Sequence, residues 1–229
     1  AIAEPVPPQR IMIATVSPFP GRATDSAVVA AVEHAGAVLA EMGHAVEPGA
    51  PAIDADAVAD AIAVLHTVSN AQLHELVCRV LGREPHEDEF EPSTWVMVRE
   101  GFTTTGTEYA GAIAAVHDQT RRFATHMVGS DVLLIPTLVT SPPPYRLLDQ
   151  PRATTRAFFD VEFATTGWTS LANVTGWAAV SLPLGVTADG LPIGVQLMAP
   201  DETILLKLAA QLETALPWAH RRPPQWVSG

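Results

Sequence analysis

Side chains that could act as a nucleophile or a general base are few in this sequence, and nothing close to them in sequence completes a catalytic set. Lys207 is the one lysine, and it sits in an apolar pattern typical of an amphipathic helix, so we interpret it as solvent-facing. Ser181 lies in V-S-L-P-L, which lacks the G-x-S-x-G turn of many serine hydrolases. Cys78 is the one cysteine, and no neighbour in sequence favours a thiol–histidine dyad.

The histidines do not form a recognisable metal motif. His66 and His74 could share a helix face, but no third ligand accompanies them, and His74-Glu75 is not part of H-E-x-x-H. No glycine-rich phosphate-binding loop is present, so we expect no metal site and no cofactor. An enzyme that uses Ser181 or Cys78 with a histidine stays an alternative, which a histidine nitrogen about 3 Å from either side chain would support.

The most informative stretch is residues 163–188, which contain no charged residue and are followed by DGLPIGVQLMAP. A run this long without charge is normally buried. It is too interrupted by polar and helix-breaking residues to be a membrane span, which needs about 20 predominantly apolar residues. We predict, in order, a short helix over about 163–172, a turn at 173–176, a strand Ala178–Leu184, a hairpin turn at Ala188-Asp189-Gly190 and a strand Ile193–Met198.

These residues carry a family resemblance. NVTGWAAVSLPLG, then DGLPIGVQLMAP and the closing LPWAHRRPP resemble the C-terminal part of the amidase signature family of serine hydrolases, and DVLLIPTLVTSPPP is similar to its strand and proline-rich loop. Ala178 stands where the family motif N-x-T-G-x-P-A has a proline, so the fixed φ of that proline is lost. The resemblance covers most of the chain. It implies an α/β fold with a mixed β-sheet flanked by helices.

The resemblance also implies a reaction. The complete enzyme would cleave a carboxamide C–N bond through an acyl-serine intermediate, using a serine nucleophile, a second serine and a lysine base. In the family these residues lie in a Gly/Ser-rich segment of the N-terminal half, and no Gly-Ser-Ser sequence accompanies Lys207 here. We therefore assign no catalytic residue to this chain and expect it to be inactive alone. Its partner would be the N-terminal catalytic segment of the same enzyme.

Substrate binding is the remaining role that the resemblance implies for this chain. In the family the segment before N-x-T-G approaches the acyl-binding side of the cleft. The candidates are Thr166, Trp168, Asn173 and Thr175, with the loop at 142–145. Alternatively, Trp168 is a core aromatic residue, while Asn173 and Thr175 satisfy backbone groups of their own turn.

The amino-acid composition limits which classes of molecule this chain could bind. The net charge is −12, from 13 basic and 25 acidic residues, which argues against nucleic acid and anionic membrane surfaces. A lone cysteine fits a cytoplasmic setting. Only 17% of residues are charged, so we expect apolar surface that another segment covers. The resemblance implies a small amide substrate, and a homo-oligomer is possible from the sequence. The alternative function is a stand-alone non-catalytic binding or interaction module of amidase-like fold. Such a module would have no large exposed apolar face.

The rest of the sequence predicts one domain. We interpret residues 1–9, rich in proline, as a linker and 10–229 as the C-terminal part of a single amidase α/β domain whose N-terminal catalytic half is absent. The predicted elements are a strand Arg10–Val16, a helix capped by Thr24 or Asp25 and ended at Gly43, a strand His44–Glu47, a helix from Asp54 to about Leu81, helices near Trp95–Glu100 and Thr107–Val128, a strand Asp131–Pro136 and a helix Glu202–Leu216.

Overall fold

A five-stranded mixed sheet organises the computed structural model, which describes residues 6–21, 23–144, 146–148 and 151–222. The strands lie in the order β2-β1-β3-β5-β4. In chain order the elements are β1 (Arg10–Ile13), α1 (Ser26–Glu41), β2 (Ala45–Pro48), α2 (Ala55–Leu81), α3 (Pro92–Thr103), α4 (Gly106–His126), β3 (Val132–Pro136), α5 (Thr155–Thr166), α6 (Ser170–Thr175), β4 (Ala178–Val186), β5 (Pro192–Ala199) and α7 (Glu202–Ala215). Short 3₁₀ helices occupy Glu87–Glu89 and Gly167–Thr169. The predicted α/β fold with a mixed sheet and flanking helices is therefore confirmed.

The first three elements form the βαβ unit that the sequence predicts, with β1 and β2 parallel. Asp25 is the residue before α1, as expected of a cap, but its carboxylate accepts no helix N–H. It accepts the Ser141 backbone N–H at 2.9 Å instead, which ties the start of α1 to the loop after β3.

The last two strands form the predicted hairpin. β4 and β5 pair antiparallel, and β5 also pairs antiparallel with β3. Gly190 has φ +84°, which only glycine adopts without strain, and the Leu191 N–H donates to Thr187 Oγ1 at 2.9 Å. β4 is an edge strand, and its pairing shifts register between Leu182 and Gly185, around a proline at 183.

Helices cover both faces of the sheet. On one face, side chains of α1 and α7 pack on Ile11, Leu134 and Leu197. On the other face, Phe123 of α4 packs with Trp168 and other apolar side chains. A third cluster, which includes Val58, Met97, Phe159 and Phe163, joins α2, α3 and α5 away from the sheet. The helices α2 to α6 therefore build a separate layer on the second face.

The uncharged stretch folds differently from the prediction of one helix over 163–172. α5 begins at Thr155, where Thr154 accepts the Ala157 N–H at 3.1 Å, and it ends at Thr166. Gly167 (φ +60°) separates it from α6, and a Cβ there would lie 2.5 Å from Val139 Cγ1. The predicted turn at 173–176 is wrong for its first three residues, which are helical, and the chain turns at Gly176.

The long helix α2 has the predicted ends. Asp54 Oδ1 accepts the Ala57 N–H at 3.1 Å, and Gly82 follows the helix with φ +67°. Its C-terminal end exposes apolar side chains, since Leu76 and Val80 are 48% and 76% exposed. Within the described ranges, no helix combines the length and apolar character that crossing a membrane requires.

Residues 6–9, part of the segment predicted as a linker, contact the sheet. Val6 is buried in the cluster under α1 and α7. The Gln9 N–H donates to His44 Nδ1 at 3.0 Å, and the Gln9 carbonyl accepts the Ala45 N–H at 2.9 Å.

Candidate functional site

A cavity of about 530 Å³ opens between the helices of the second layer. This volume lies in the range of small-molecule sites, about 300–1,000 Å³. Its lining comes from five helices, the 3₁₀ turn after α5 and Leu148, and comprises Ile62, Leu65, His66, Ser69, Met97, Val116, Leu148, Phe158, Phe159, Glu162, Phe163, Thr166, Thr169, Ser170, Asn173 and Val174.

Helical periodicity explains which side chains reach the cavity. From α2 come Ile62, Leu65, His66 and Ser69, spaced by three or four residues, and α5 contributes 158/159, 162/163 and 166 at the same spacing. Residues at these spacings lie on one face of a helix, so α2 and α5 each present one stripe to the cavity.

An aromatic wall forms one side of the cavity. The Phe159 ring lies 5.4 Å from Phe158 and 5.5 Å from Phe163, centroid to centroid. The His66 ring meets Phe159 edge-on at 4.8 Å. Phe159 and Phe163 are buried. Rings held by such contacts offer a fixed apolar surface to a ligand.

Polar groups collect where α5 meets α6. Thr166 Oγ1 donates to the Glu162 backbone carbonyl at 3.1 Å, and Thr169 Oγ1 donates to the Thr137 carbonyl, so both hydroxyl protons are used. Ser170 Oγ is buried without a hydrogen-bond partner among the described residues. The Asn173 side chain is exposed and makes no hydrogen bond within that same part of the chain. Ser170 and Asn173 can therefore hydrogen-bond to a ligand.

Two titratable side chains also line the cavity. Glu162 is half-buried, and this burial raises the pKa of its carboxyl group above the ordinary value. His66 lies at the more exposed rim, where partial burial by the aromatic wall lowers the pKa of its imidazole. Both shifts favour the uncharged form, since both groups lose water to an apolar surrounding.

The cavity includes two of the four side chains predicted for substrate binding. Thr166 and Asn173 line it. Trp168 does not, because it is 1% exposed and packs in the cluster that contains Phe123. Thr175 does not either, because its hydroxyl donates to the Leu171 carbonyl at 2.7 Å and accepts the Trp177 N–H at 3.3 Å.

The remaining part of that prediction, the loop at 142–145, contributes no lining residue at 142–144, and Tyr145 lies outside the described residues. Sequence reasoning missed Glu162, His66 and Ser170 as cavity residues. One signal was available for Glu162: it is the last charged residue before the uncharged stretch and precedes Thr166 by one helical turn.

The other side chains considered for chemistry lie elsewhere. Ser181 Oγ hydrogen-bonds to Thr137 Oγ1 at 2.6 Å and meets no histidine at that distance in the described chain. Cys78 Sγ lies 3.7 Å from His74 Nδ1, one turn away on α2 and longer than the 3 Å expected of a working dyad. The His74 ring packs against Phe102 and Trp95. Lys207 is on α7, which packs on α1, β4 and β5 across the sheet from the cavity.

Comparison with known proteins finds a family model and curated relatives that match most of this chain. The family model described as Amidase matches residues 4–203. Two curated relatives, both named 6-aminohexanoate-cyclic-dimer hydrolase, come from Paenarthrobacter ureafaciens and Pseudomonas sp. (strain NK87). Each is 33% identical over 93% of this chain and 45% of its own length.

Solved structures agree with these matches. A structure of 6-aminohexanoate cyclic dimer hydrolase superposes with TM-score 0.86 at 30% identity, over 97% of this chain and 48% of that one. A bacterial aryl acylamidase of the amidase signature family superposes with TM-score 0.77 at 16% identity, over 95% of this chain and 46% of its own, and so shows the fold alone. The chain spans about half the length of the relatives it matches.

Proposed function

The chain belongs to the amidase family, and from this premise we propose that residues 10–229 form the C-terminal part of an amide hydrolase, completing its sheet and the acyl side of its cleft. A second polypeptide segment supplies the serine nucleophile, the relay serine and the lysine base. The bond cleaved is a carboxamide C–N bond, and the intermediate is an ester of the supplied serine.

The cavity carries this proposal. Its aromatic wall suits an aliphatic or aromatic acyl chain, and Ser170 and Asn173 can hydrogen-bond to the amide at the end of that chain. Thr166 and Asn173 come from the segment that the family resemblance assigns to the acyl side. Trp168 and Thr175 act indirectly, because their packing and hydrogen bonding hold the α5–α6 segment that carries Thr166 and Asn173.

The side chains that line the cavity support the inference that the catalytic residues come from another segment. Two serines, Ser69 and Ser170, face the cavity, but no lysine lines it in the described ranges. Without a base a serine hydroxyl is a weak nucleophile. The half-length match to the relatives and the exposed Ala179 and Ser181 on the edge strand β4 support a second segment that packs there.

A complementation experiment tests the proposal. The chain is co-expressed with the part of the Paenarthrobacter ureafaciens relative that it does not cover, and amine release from an aminohexanoate-type amide is measured. We expect a complex and turnover, with no turnover by either piece alone. The matched control replaces the serine nucleophile of the supplied segment by alanine and should form the complex without turnover.

Two results would contradict the proposal. The first is hydrolysis by the chain alone at the rate of the complex. The second is a folded, monodisperse chain that binds no such segment, which is what the stand-alone binding module predicts.

A further inference from the structure

Glu162 is the carboxylate of the cavity lining, and no contact among the described residues explains its place among apolar side chains. It stands among three phenylalanines of its own helix, and its carboxylate has no hydrogen bond or ion pair with any described residue. A carboxylate that loses water without gaining a partner lowers the stability of the folded chain. By contrast, the Glu89 carboxylate is paired with the Arg83 guanidinium at 2.7 Å.

No lysine or arginine is among the described side chains that line the cavity around Glu162. The nearest arginine along α5, Arg156, is held by three carboxylates, those of Asp56, Asp60 and Asp160. The other titratable side chain in the lining is His66 on α2, whose partial burial favours the neutral ring. The helices α3, α4 and α6 contribute no charged side chain to the lining.

We propose that Glu162 binds an ammonium group of the substrate, so that the site takes carboxamides whose acyl chain ends in a primary amine. The inference rests on the proposed amide hydrolysis and names its substrate class. An ammonium ion is a strong donor to a carboxylate, and in an apolar cavity such a charge-assisted hydrogen bond is strengthened.

The geometry of α5 and α6 fits such a molecule. Thr166 follows Glu162 by four residues, about 6 Å along a helix axis, and Ser170 and Asn173 lie beyond it. An aminoalkyl chain of several methylenes can pass Phe163 with its amine at Glu162 and its amide at Ser170 and Asn173, all of which line the same cavity. Binding of the ammonium would also reverse the effect of burial, since a nearby positive charge lowers the pKa of the carboxyl.

Binding to the purified chain tests this without requiring hydrolysis. The probes are 6-aminohexanamide and hexanamide, which differ by the terminal amine, and dissociation constants are measured by NMR titration at pH 7.5. We expect the amine to tighten binding by about tenfold or more, as charge-assisted hydrogen bonds do. Glu162→Gln should remove the difference between the two probes. Glu75→Gln, at an exposed position of α2, makes the same charge change and should keep the difference.

Three results would overturn the inference: equal affinity of the unaltered chain for both probes, no measurable binding of either, or an unchanged preference in Glu162→Gln. The two-probe comparison on the unaltered chain decides the question even if Glu162→Gln does not fold. Failure of the proposed function looks different, because the complemented enzyme would then hydrolyse neither amide while the chain still preferred the amine. Equal kcat/KM for both amides in an active complex would reject the ammonium site alone.

Discussion

At the scale of single residues, neighbouring positions of one motif have opposite roles. Trp168 is buried in the second-face cluster, whereas Asn173 is exposed at the cavity. The family motif indicated both as binding residues, because spacing relative to N-x-T-G does not tell which side of a helix faces the core. The helix breaks at Gly167, where positive φ and the close approach of Val139 require glycine, and the Trp168 side chain that follows is in the core.

Substitutions at these two positions should separate stability from binding. Trp168→Ala should lower the free energy of unfolding by about 3–5 kcal/mol, because it removes a large buried side chain. Asn173→Ala should change it by less than about 0.5 kcal/mol, as exposed substitutions usually do, while weakening binding of 6-aminohexanamide. Urea denaturation measures the first effect and NMR titration the second. Equal losses of stability would contradict these placements.

Glu162 should make stability depend on pH. Its pKa is raised in the folded chain, so the unfolded carboxyl, with an ordinary value of 4.5, releases its proton first as pH rises. The unfolded state then binds fewer protons, and the free energy of unfolding falls from about that pH until the folded carboxyl has also ionised. Glu162→Gln should therefore gain stability relative to the unaltered chain as pH rises above about 4.5, measured by urea denaturation. Parallel pH curves would contradict this, and Glu75→Gln is the charge-matched control.

At the scale of elements, the sequence predicts the boundaries that capping and turn residues set locally. Asp54 and Gly82 bound α2, and Asp189-Gly190 forms the hairpin, as the sequence predicts. The cavity was not predictable in the same way, because α2 and α5 are distant in sequence and no local pattern states that they meet. Glu162 and His66 became site residues only through that meeting.

Packing between α2 and α3 depends on a glycine that belongs to no recognised sequence motif. A Cβ at Gly101 would lie 2.0 Å from the Thr67 carbonyl oxygen, which is backbone and cannot move aside. Gly101→Ala should therefore cost about 1–3 kcal/mol of stability by overpacking. Gly111→Ala, in α4 with no heavy atom within 4 Å of the new Cβ, should instead stabilise by about 0.5–1 kcal/mol. Thermal unfolding measures both, and a loss at Gly111 as large as that at Gly101 would reject the close approach as the cause.

At the scale of the whole molecule, the described residues resemble half of a larger architecture. The sheet has five strands and a long edge strand, and the chain covers 45% of the curated relatives. Leu73, Leu76 and Val80 form a stripe on α2 that is between 48% and 76% exposed. Such a stripe fits the expectation from low charge content that another segment covers apolar surface of this chain, and it fits the stand-alone module less well.

The closing LPWAHRRPP sequence, which carried part of the family resemblance, also affects the open side of the sheet. The Arg221 guanidinium donates to the Pro183 carbonyl at 2.7 Å and to the Gly185 carbonyl at 3.4 Å. These two acceptors on the edge strand already have a donor within the chain, so they are less available to a neighbouring strand. We expect the guanidinium to disfavour strand addition over this half of β4 and to leave the residues that precede Pro183 as the better place for it.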